Sequence, residues 1–162
     1  MKRLAATAMI VAFVLVSAFA AQKHPMLPDP KLTPGVADPA ITQGNILQTI
    51  CKSGYTKTVR DVPESVKKEV MERYGLPLAD LAKVEIDHFI SLEIGGSNDP
   101  QNLWPEYYDP APAQRAYLGA RQKDVVETAL HRAVCSGQMT LGEAQTAIRT
   151  WPAAYRARKR AK

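Results

Sequence analysis

The chain has 162 residues and a formal net charge of +5. Without its first 20 residues it carries 19 basic and 16 acidic residues, and this net charge of +3 does not by itself indicate a nucleic-acid-binding protein. The remaining length, about 140 residues, is enough for one domain with a modest core. The two cysteines have no partner at C-x-x-C spacing, which argues against structural zinc.

Residues 1–20 have the pattern of a secretory signal peptide. Two basic residues come first, an almost wholly apolar run follows from Leu4 to Val16, and Ala18-Phe19-Ala20 supplies the small residues of a cleavage site. We expect cleavage after Ala20 and a periplasmic or secreted protein with no stable membrane insertion. An uncleaved N-terminal anchor is the alternative.

The mature chain divides into three segments by composition. Residues 21–40 contain five prolines and predict an extended leader, which either lies on the domain surface or acts as a linker. Residues 41–152 are expected to form the single domain. Residues 153–162 form a basic tail, which is either a phosphate contact or a solvated, frayed end.

Within the domain, the patterns predict an α+β fold that is mainly helical and has a small β-ribbon. A weak helical pattern spans Ile41 to Ile50, and the β-branched residues of Tyr55 to Val59 favour a strand. Helices are predicted from Pro63 to Gly75 and from about Ala113 to Val134. Thr140-Leu141-Gly142-Glu143 has the form of a capping box and opens a last helix, which we expect to end at Pro152.

Cys51 and Cys135 are far apart in the sequence. In an exported protein an isolated pair of cysteines is most simply a disulfide. A loop of this length would contribute roughly 4 to 5 kcal/mol in the chain-entropy description. We therefore predict one disulfide.

The most informative stretch is residues 84–106. Its apolar residues alternate with acidic ones up to Asp87-His88, which predicts a short half-buried strand. A Gly95-Gly96 turn follows, and then Asn102-Leu103. Since neighbouring strand residues point to opposite faces, Asp87 and His88 serve one site only if the strand ends or bulges between them.

These motifs resemble the HNH endonucleases, whose metal site is a β-hairpin followed by a helix. The whole mature chain is similar to small exported HNH-like proteins with Asp-His, Asn-Leu-Trp-Pro and a later Lys-Asp-x-x-Glu. The resemblance implies hydrolysis of DNA or RNA to 5′-phosphate and 3′-hydroxyl ends. It identifies His88 as the general base, Asp87 as a ligand of a divalent cation, and Asn102 as the residue that tethers the loop and orients His88.

The cation is expected to be Mg²⁺ or Mn²⁺, with Zn²⁺ or Ni²⁺ as alternatives. No histidine stands about nine residues after Asn102, so the remaining ligand should come from the later helix. Asp124, Glu127 and His131 share one helical face there, and Glu127 and His131 are the preferred ligands. Lys123 and Glu127 are also spaced as a simple surface ion pair.

The nucleic acid is the expected partner, and the tail residues expected to contact it are Arg156, Arg158, Lys159 and Arg160. The sequence thus predicts an exported, metal-dependent endonuclease. A non-catalytic module with an HNH-like fold that binds in the periplasm or outside the cell is the main alternative. A toxin-like nuclease with its own inhibitor protein is a further one. The sequence does not define an oligomeric state.

Overall fold

The computed structural model describes residues 25–108 and 117–161. The expected signal peptide lies outside the described residues. Within them, helices combine with one two-stranded antiparallel sheet, so the fold is α+β, as predicted. The helices are α1 (Tyr55–Val59), α2 (Glu64–Arg73), α3 (Ala120–Cys135), α4 (Leu141–Ala147) and α5 (Trp151–Arg160), and the strands are β1 (Val84–His88) and β2 (Leu103–Tyr107). Short 3-10 turns occupy Gln43–Asn45, Leu78–Lys83, Leu92–Ile94, Pro100–Asn102 and Ile148–Thr150.

The hairpin of β1 and β2 has one apolar and one acidic face. In its register Glu85 lies opposite Glu106, and Asp87 lies opposite Trp104. Residues directly opposite each other in an antiparallel pair point to the same side, so the carboxylates of these two pairs share one face. The other face carries Val84, Ile86 and Leu103, which pack against Val70 and Met71 of α2. The apolar contact with α2 leaves the acidic face for α3.

Helix α3 is the centre of the larger core. Val126, Leu130 and Val134 are buried at a spacing of four residues and pack against α4, α5 and the segment from Ile41 to Ile50. Lys123 and Glu127 are buried on the same helix, one turn apart, toward the hairpin. The apolar stripe of α3 therefore continues into two charged residues that face the acidic side of the sheet.

The predicted disulfide between Cys51 and Cys135 is present, with Cα atoms 5.5 Å apart. It joins the turn before α1 to the last residue of α3 across 84 positions of sequence. No helix in the described part of the chain is both long enough and apolar enough to span a membrane.

The leader packs on the domain over its described residues. Thr33 is fully buried, and its hydroxyl donates to the carbonyl of Leu103 at 2.9 Å. The Asp38 amide donates to the carbonyl of Gly95 at 2.9 Å. These contacts agree with the surface-bound alternative rather than with a free linker.

The predicted strand at Tyr55–Val59 is wrong, because these residues form helix α1. Gly54 adopts a left-handed conformation, with φ of 78°, and turns the chain into the helix. The Thr58 hydroxyl then donates to the carbonyl of Tyr55 at 2.7 Å, a local bond that favours a helical turn. The strand preference of threonine and valine depends on a partner strand, and β1 and β2 pair with each other instead.

Pro152 does not end the last helix. The capping box at Thr140 and Glu143 is confirmed, and α4 begins at Leu141 as predicted, but it gives way to a 3-10 turn at Ile148. Pro152 then lies in the first turn of α5. Backbone N–H groups in a first turn have no acceptor within the helix, so a proline is tolerated there. Residues of the expected tail are consequently helical as far as Arg160.

The remaining helical predictions are met in part. The helix from Pro63 is confirmed as α2. The weak pattern from Ile41 to Ile50 gives only the short 3-10 turn Gln43–Asn45 and further turns. The helix expected from Ala113 is helical from Ala120 onward, and residues 113–116 lie outside the described residues.

Candidate functional site

A buried cluster of charged side chains lies between the hairpin and α3. We define the acidic cluster as Asp87 of β1, Glu106 of β2 and Glu127 of α3, with Lys123 at its centre. The exposed fractions are 8% for Asp87, 0% for Glu106, 8% for Glu127 and 0% for Lys123. Buried charges at this density require mutual compensation, so the way in which they pair decides the chemistry of the site.

The ammonium of Lys123 is bonded to three oxygens. Its Nζ donates to Asp87 Oδ2 at 2.6 Å, to the His88 carbonyl at 2.8 Å and to Glu127 Oε1. The second oxygen of Glu127 accepts from the Ser91 hydroxyl at 2.9 Å. The pair at positions 123 and 127 is therefore a buried bridge to the hairpin and not the surface ion pair that the spacing also allowed.

The three carboxyl groups differ in acidity. Burial alone would raise the pKa of Asp87, but the Lys123 ammonium holds it below its usual value. Burial raises the pKa of Glu127 to about 7 in spite of the same ammonium. Burial, followed by the charge of Asp87, raises the pKa of Glu106 well above its usual value. Near neutral pH, Asp87 is therefore ionised.

His88 is 1% exposed, and its ring points away from the acidic cluster. The ring Nε2 lies 2.9 Å from Oδ1 of Asn98. The other nitrogen, Nδ1, is buried and has no hydrogen-bond partner among the described residues. Burial lowers the pKa of the imidazole, so the ring is neutral at pH 7. His88 thus presents one fixed and one unbonded ring nitrogen.

The strand neither ends nor bulges between Asp87 and His88. Their pairing with Trp104 and Leu103 is continuous, and β1 ends after His88. The two residues reach the site differently: Asp87 supplies its carboxylate, and His88 supplies its backbone carbonyl to Lys123. The alternation of strand faces holds, because only one of the two side chains enters the cluster.

Asn102 ties the loop between the strands together. Its Oδ1 accepts from the Ile90 amide at 2.9 Å and from the Val36 amide at 3.2 Å, and its Nδ2 donates to the carbonyls of Ile90 and Ser97 at 2.9 and 2.8 Å. The His88 ring is held by Asn98 instead, a residue that the sequence indicated only as part of a turn.

The loop also requires a glycine at position 96. A Cβ atom there would lie 1.7 Å from the Ile90 carbonyl oxygen, which no side chain can satisfy without movement of the backbone. The Gly96 amide also donates to the Ser91 carbonyl at 2.8 Å. Gly96 therefore lets the loop pack back onto Ile90 and Ser91, just after the end of β1.

The expected metal shell does not fit this arrangement. Asp87 Oδ2 and Glu127 Oε1, the two carboxylate oxygens meant for a cation, are both bonded to Lys123. An ammonium between these oxygens repels a second cation and occupies its position. Mg²⁺, Mn²⁺, Zn²⁺ and Ni²⁺ remain predictions, and we assign no chemical step to them.

His131 lies elsewhere on α3. Its Nε2 is 2.9 Å from the carbonyl of Ile50, and one ring nitrogen lies within 4.8 Å of the sulfurs of Cys51 and Cys135. These three side chains have metal-ligand chemistry, but both sulfurs are in the disulfide. Asp124, the other residue of the predicted face, is exposed. Of the three helical residues, only Glu127 shares a hydrogen-bond partner, Lys123, with Asp87.

Arg60 is a residue that the sequence analysis missed. It follows α1 and is exposed, and its guanidinium forms no hydrogen bond or ion pair within the described residues. Its charge acts on His88, Glu85 and Asp124, which places it at the edge of the site. Neither spacing nor composition distinguished it from the other basic residues, because its position depends on the unexpected helix α1.

Arg60 also lines a cleft of about 910 Å³. Lys67 adds a second positive charge to its wall, Leu78 and Ala82 add apolar surface, and Tyr108 adds an aromatic ring. The wall on the side of β1 includes Glu85 and Ile86. A cationic and partly apolar cleft suits an anionic ligand that also carries flat apolar groups.

The basic residues predicted to contact nucleic acid lie on α5. Arg158, Lys159 and Arg160 are exposed in its last turn, and Arg156 precedes them with its guanidinium 3.5 Å from the sulfur of Met26. Packing of α5 against α3 places Arg158 beside Asp124 and Arg132. The charges are thus presented on an ordered helix.

Comparison with protein-family models, curated proteins and solved structures gives no match to this chain.

Proposed function

We propose that the chain is an exported HNH-type endonuclease that hydrolyses phosphodiester bonds, with His88 as its general base. The observation that carries this proposal is the state of the buried imidazole. Its Nε2 is bonded to Asn98, and its Nδ1 is unbonded among the described residues. A neutral ring that keeps its proton on one nitrogen offers a lone pair on the other. The resemblance of the Asp-His, Gly-Gly and Asn-Leu motifs to HNH enzymes adds support.

In the proposed reaction, Nδ1 of His88 takes a proton from water while the water oxygen attacks phosphorus. The bond from phosphorus to the 3′ oxygen breaks, and that oxygen leaves as a hydroxyl after it takes a proton from solvent. Arg60 would bind the non-bridging oxygens, since its side chain is exposed and its charge is close enough to His88 to lower the pKa of the ring. The residues of α5 would bind phosphates farther along the strand.

The test compares two histidine variants. His88→Ala should lower the rate of plasmid nicking or RNA cleavage by roughly 10²- to 10⁴-fold, the usual effect of losing a general base. His131→Ala is the control, because this histidine lies beside the disulfide and outside the acidic cluster. It should keep the native rate. Equal rates for native protein and His88→Ala would rule out His88 as the base.

The second candidate is a non-catalytic binding module. Its support is the enclosure of the site, since His88 is 1% exposed and Lys123 engages the carboxylates. Purified native protein that binds nucleic acid but cuts neither DNA nor RNA, with or without Mg²⁺ and Mn²⁺, would favour this function. Localisation in the periplasm or outside the cell is part of both proposals and rests on the signal-peptide pattern.

A further inference from the structure

The position of Lys123 is that of a bound cation. Its ammonium has three hydrogens, and three oxygens from three residues accept them: a carboxylate of Asp87, the backbone carbonyl of His88 and a carboxylate of Glu127. The side chain has no exposed surface. Its hydrogen-bonding capacity is therefore saturated without help from solvent.

These oxygens form the kind of set that a hard divalent cation uses, with two carboxylates and one carbonyl converging on one point. Lysine can occupy such a point because its ammonium is compact and sits at the end of a flexible stem. To bind the same oxygens, a metal ion would have to displace Nζ from all three acceptors. It would also leave the lysine charge buried and unpaired, which is strongly unfavourable.

Among the described residues, the neighbouring acceptors are the second oxygen of Glu127 and the carboxyl group of Glu106, and both are enclosed. The second oxygen of Glu127, Oε2, accepts a hydrogen bond from the Ser91 hydroxyl at 2.9 Å. Glu106, the third carboxyl group of the cluster, is fully buried. We propose that the ammonium of Lys123 is the built-in cation of this site, and that the native chain binds no divalent ion between Asp87 and Glu127.

The first experiment titrates Mn²⁺ into the protein and follows free Mn²⁺ by electron paramagnetic resonance. Native protein should show no saturable binding up to about 1 mM. Lys123→Met removes the charge and keeps most of the stem, so this variant should bind one ion with an affinity at least about 100-fold higher. Lys83→Met is the matched control, because Lys83 pairs with Asp80 on the surface, and it should behave as native.

A second variant assigns the site. Lys123→Met combined with Glu127→Gln removes one of the proposed ligands and should lose the binding gained by Lys123→Met alone. A folded Lys123→Met that binds no Mn²⁺ would overturn the proposal. So would saturable binding by native protein that disappears in Asp87→Asn.

Lys123→Met leaves two carboxylates without their partner, so the variant can fail to fold without metal. Thermal unfolding is therefore measured with and without Mn²⁺. Stabilisation of this variant alone by Mn²⁺ supports the proposal. If the variant folds under neither condition, the native titration with its Asp87→Asn control decides.

The proposal concerns binding and also deepens the proposed function, because a nuclease with a built-in cation should cut after treatment with a chelator. Cleavage that stops with chelator and returns with Mn²⁺ would overturn the built-in cation and leave His88 as the base. If native protein cuts no nucleic acid, the proposed function fails, and the Mn²⁺ titration still decides the role of Lys123.

Discussion

The ring of His88 and the amide of Asn98 are joined by a bond of 2.9 Å between Nε2 and Oδ1. Asn98 presents its oxygen at this position because its Nδ2 donates to the Val59 carbonyl at 2.6 Å. The amide of Asp61 donates to the same oxygen at 3.2 Å. An acceptor fixed in this way places the imidazole proton on Nε2 and leaves Nδ1 as the basic nitrogen.

This relationship predicts the pH dependence of cleavage. Burial lowers the pKa of His88 from its usual value of 6.5, so the base stays unprotonated as the pH falls through 6.5. The acid limb of kcat/KM should therefore lie below pH 6.5. Asn98→Asp places a negative charge beside the ring, raises the pKa of His88 and should move this acid limb to higher pH.

Asn98→Ala should lower kcat by about tenfold, because one hydrogen bond that fixes the tautomer is lost. Rates of oligonucleotide cleavage between pH 4.5 and 9 measure both effects. A native limb above pH 6.5, or a limb that Asn98→Asp does not move, would show that another group controls the rate.

The hairpin could be predicted from sequence because alternation, turn glycines and the Asn-Leu pair all act locally. Lys123 could not, since lysine is almost never fully buried and its i, i+4 spacing with Glu127 is also that of a surface pair. Burial of Lys123 follows from the meeting of α3 with the acidic face of the sheet, which no local pattern encodes. Arg60 was missed for a related reason: the Tyr55–Val59 segment was expected to be a strand, but it forms helix α1, and Arg60 follows its last residue.

Arg60 provides a test of substrate binding. Arg60→Ala should raise KM for nucleic acid by about tenfold, as expected for the loss of one charge-assisted contact with phosphate. Lys67→Ala should have a smaller effect of the same sign, since Lys67 lines the cleft but pairs with Glu64 at 2.5 Å. Lys68→Ala is the control, because Lys68 is exposed and does not line the cleft.

Initial rates at several salt concentrations measure these changes. If Lys68→Ala raises KM as much as Arg60→Ala does, the effect comes from overall charge, and the cleft is not the binding site.

The disulfide should stabilise the fold without contributing to the chemistry. Cys51→Ser with Cys135→Ser is expected to lower the free energy of unfolding by roughly 4 kcal/mol, from the added entropy of the open chain. At a temperature where both proteins are folded, the cleavage rate should be unchanged, since the bond lies at the far end of α3 from Lys123. Urea denaturation and a cleavage assay on the same samples test this prediction. A loss of activity in the folded double variant would link the disulfide to the site.

Glu127 should make the native protein less stable as the pH rises. Its pKa is raised from 4.5 to about 7 by burial, so between these values the folded state holds a proton that the unfolded state has released. Stability therefore decreases with rising pH across that window and levels off above pH 7.

The variant Glu127→Gln has no titrating group at this position, so its free energy of unfolding lacks this pH dependence. From pH 4.5 to 8 the free energy of unfolding of the native protein should fall by roughly 3 kcal/mol relative to Glu127→Gln. Urea denaturation at intermediate pH values measures the difference, with Glu69→Gln on the exposed side of α2 as the control. Parallel curves for native protein and Glu127→Gln would mean that Lys123 keeps Glu127 ionised throughout.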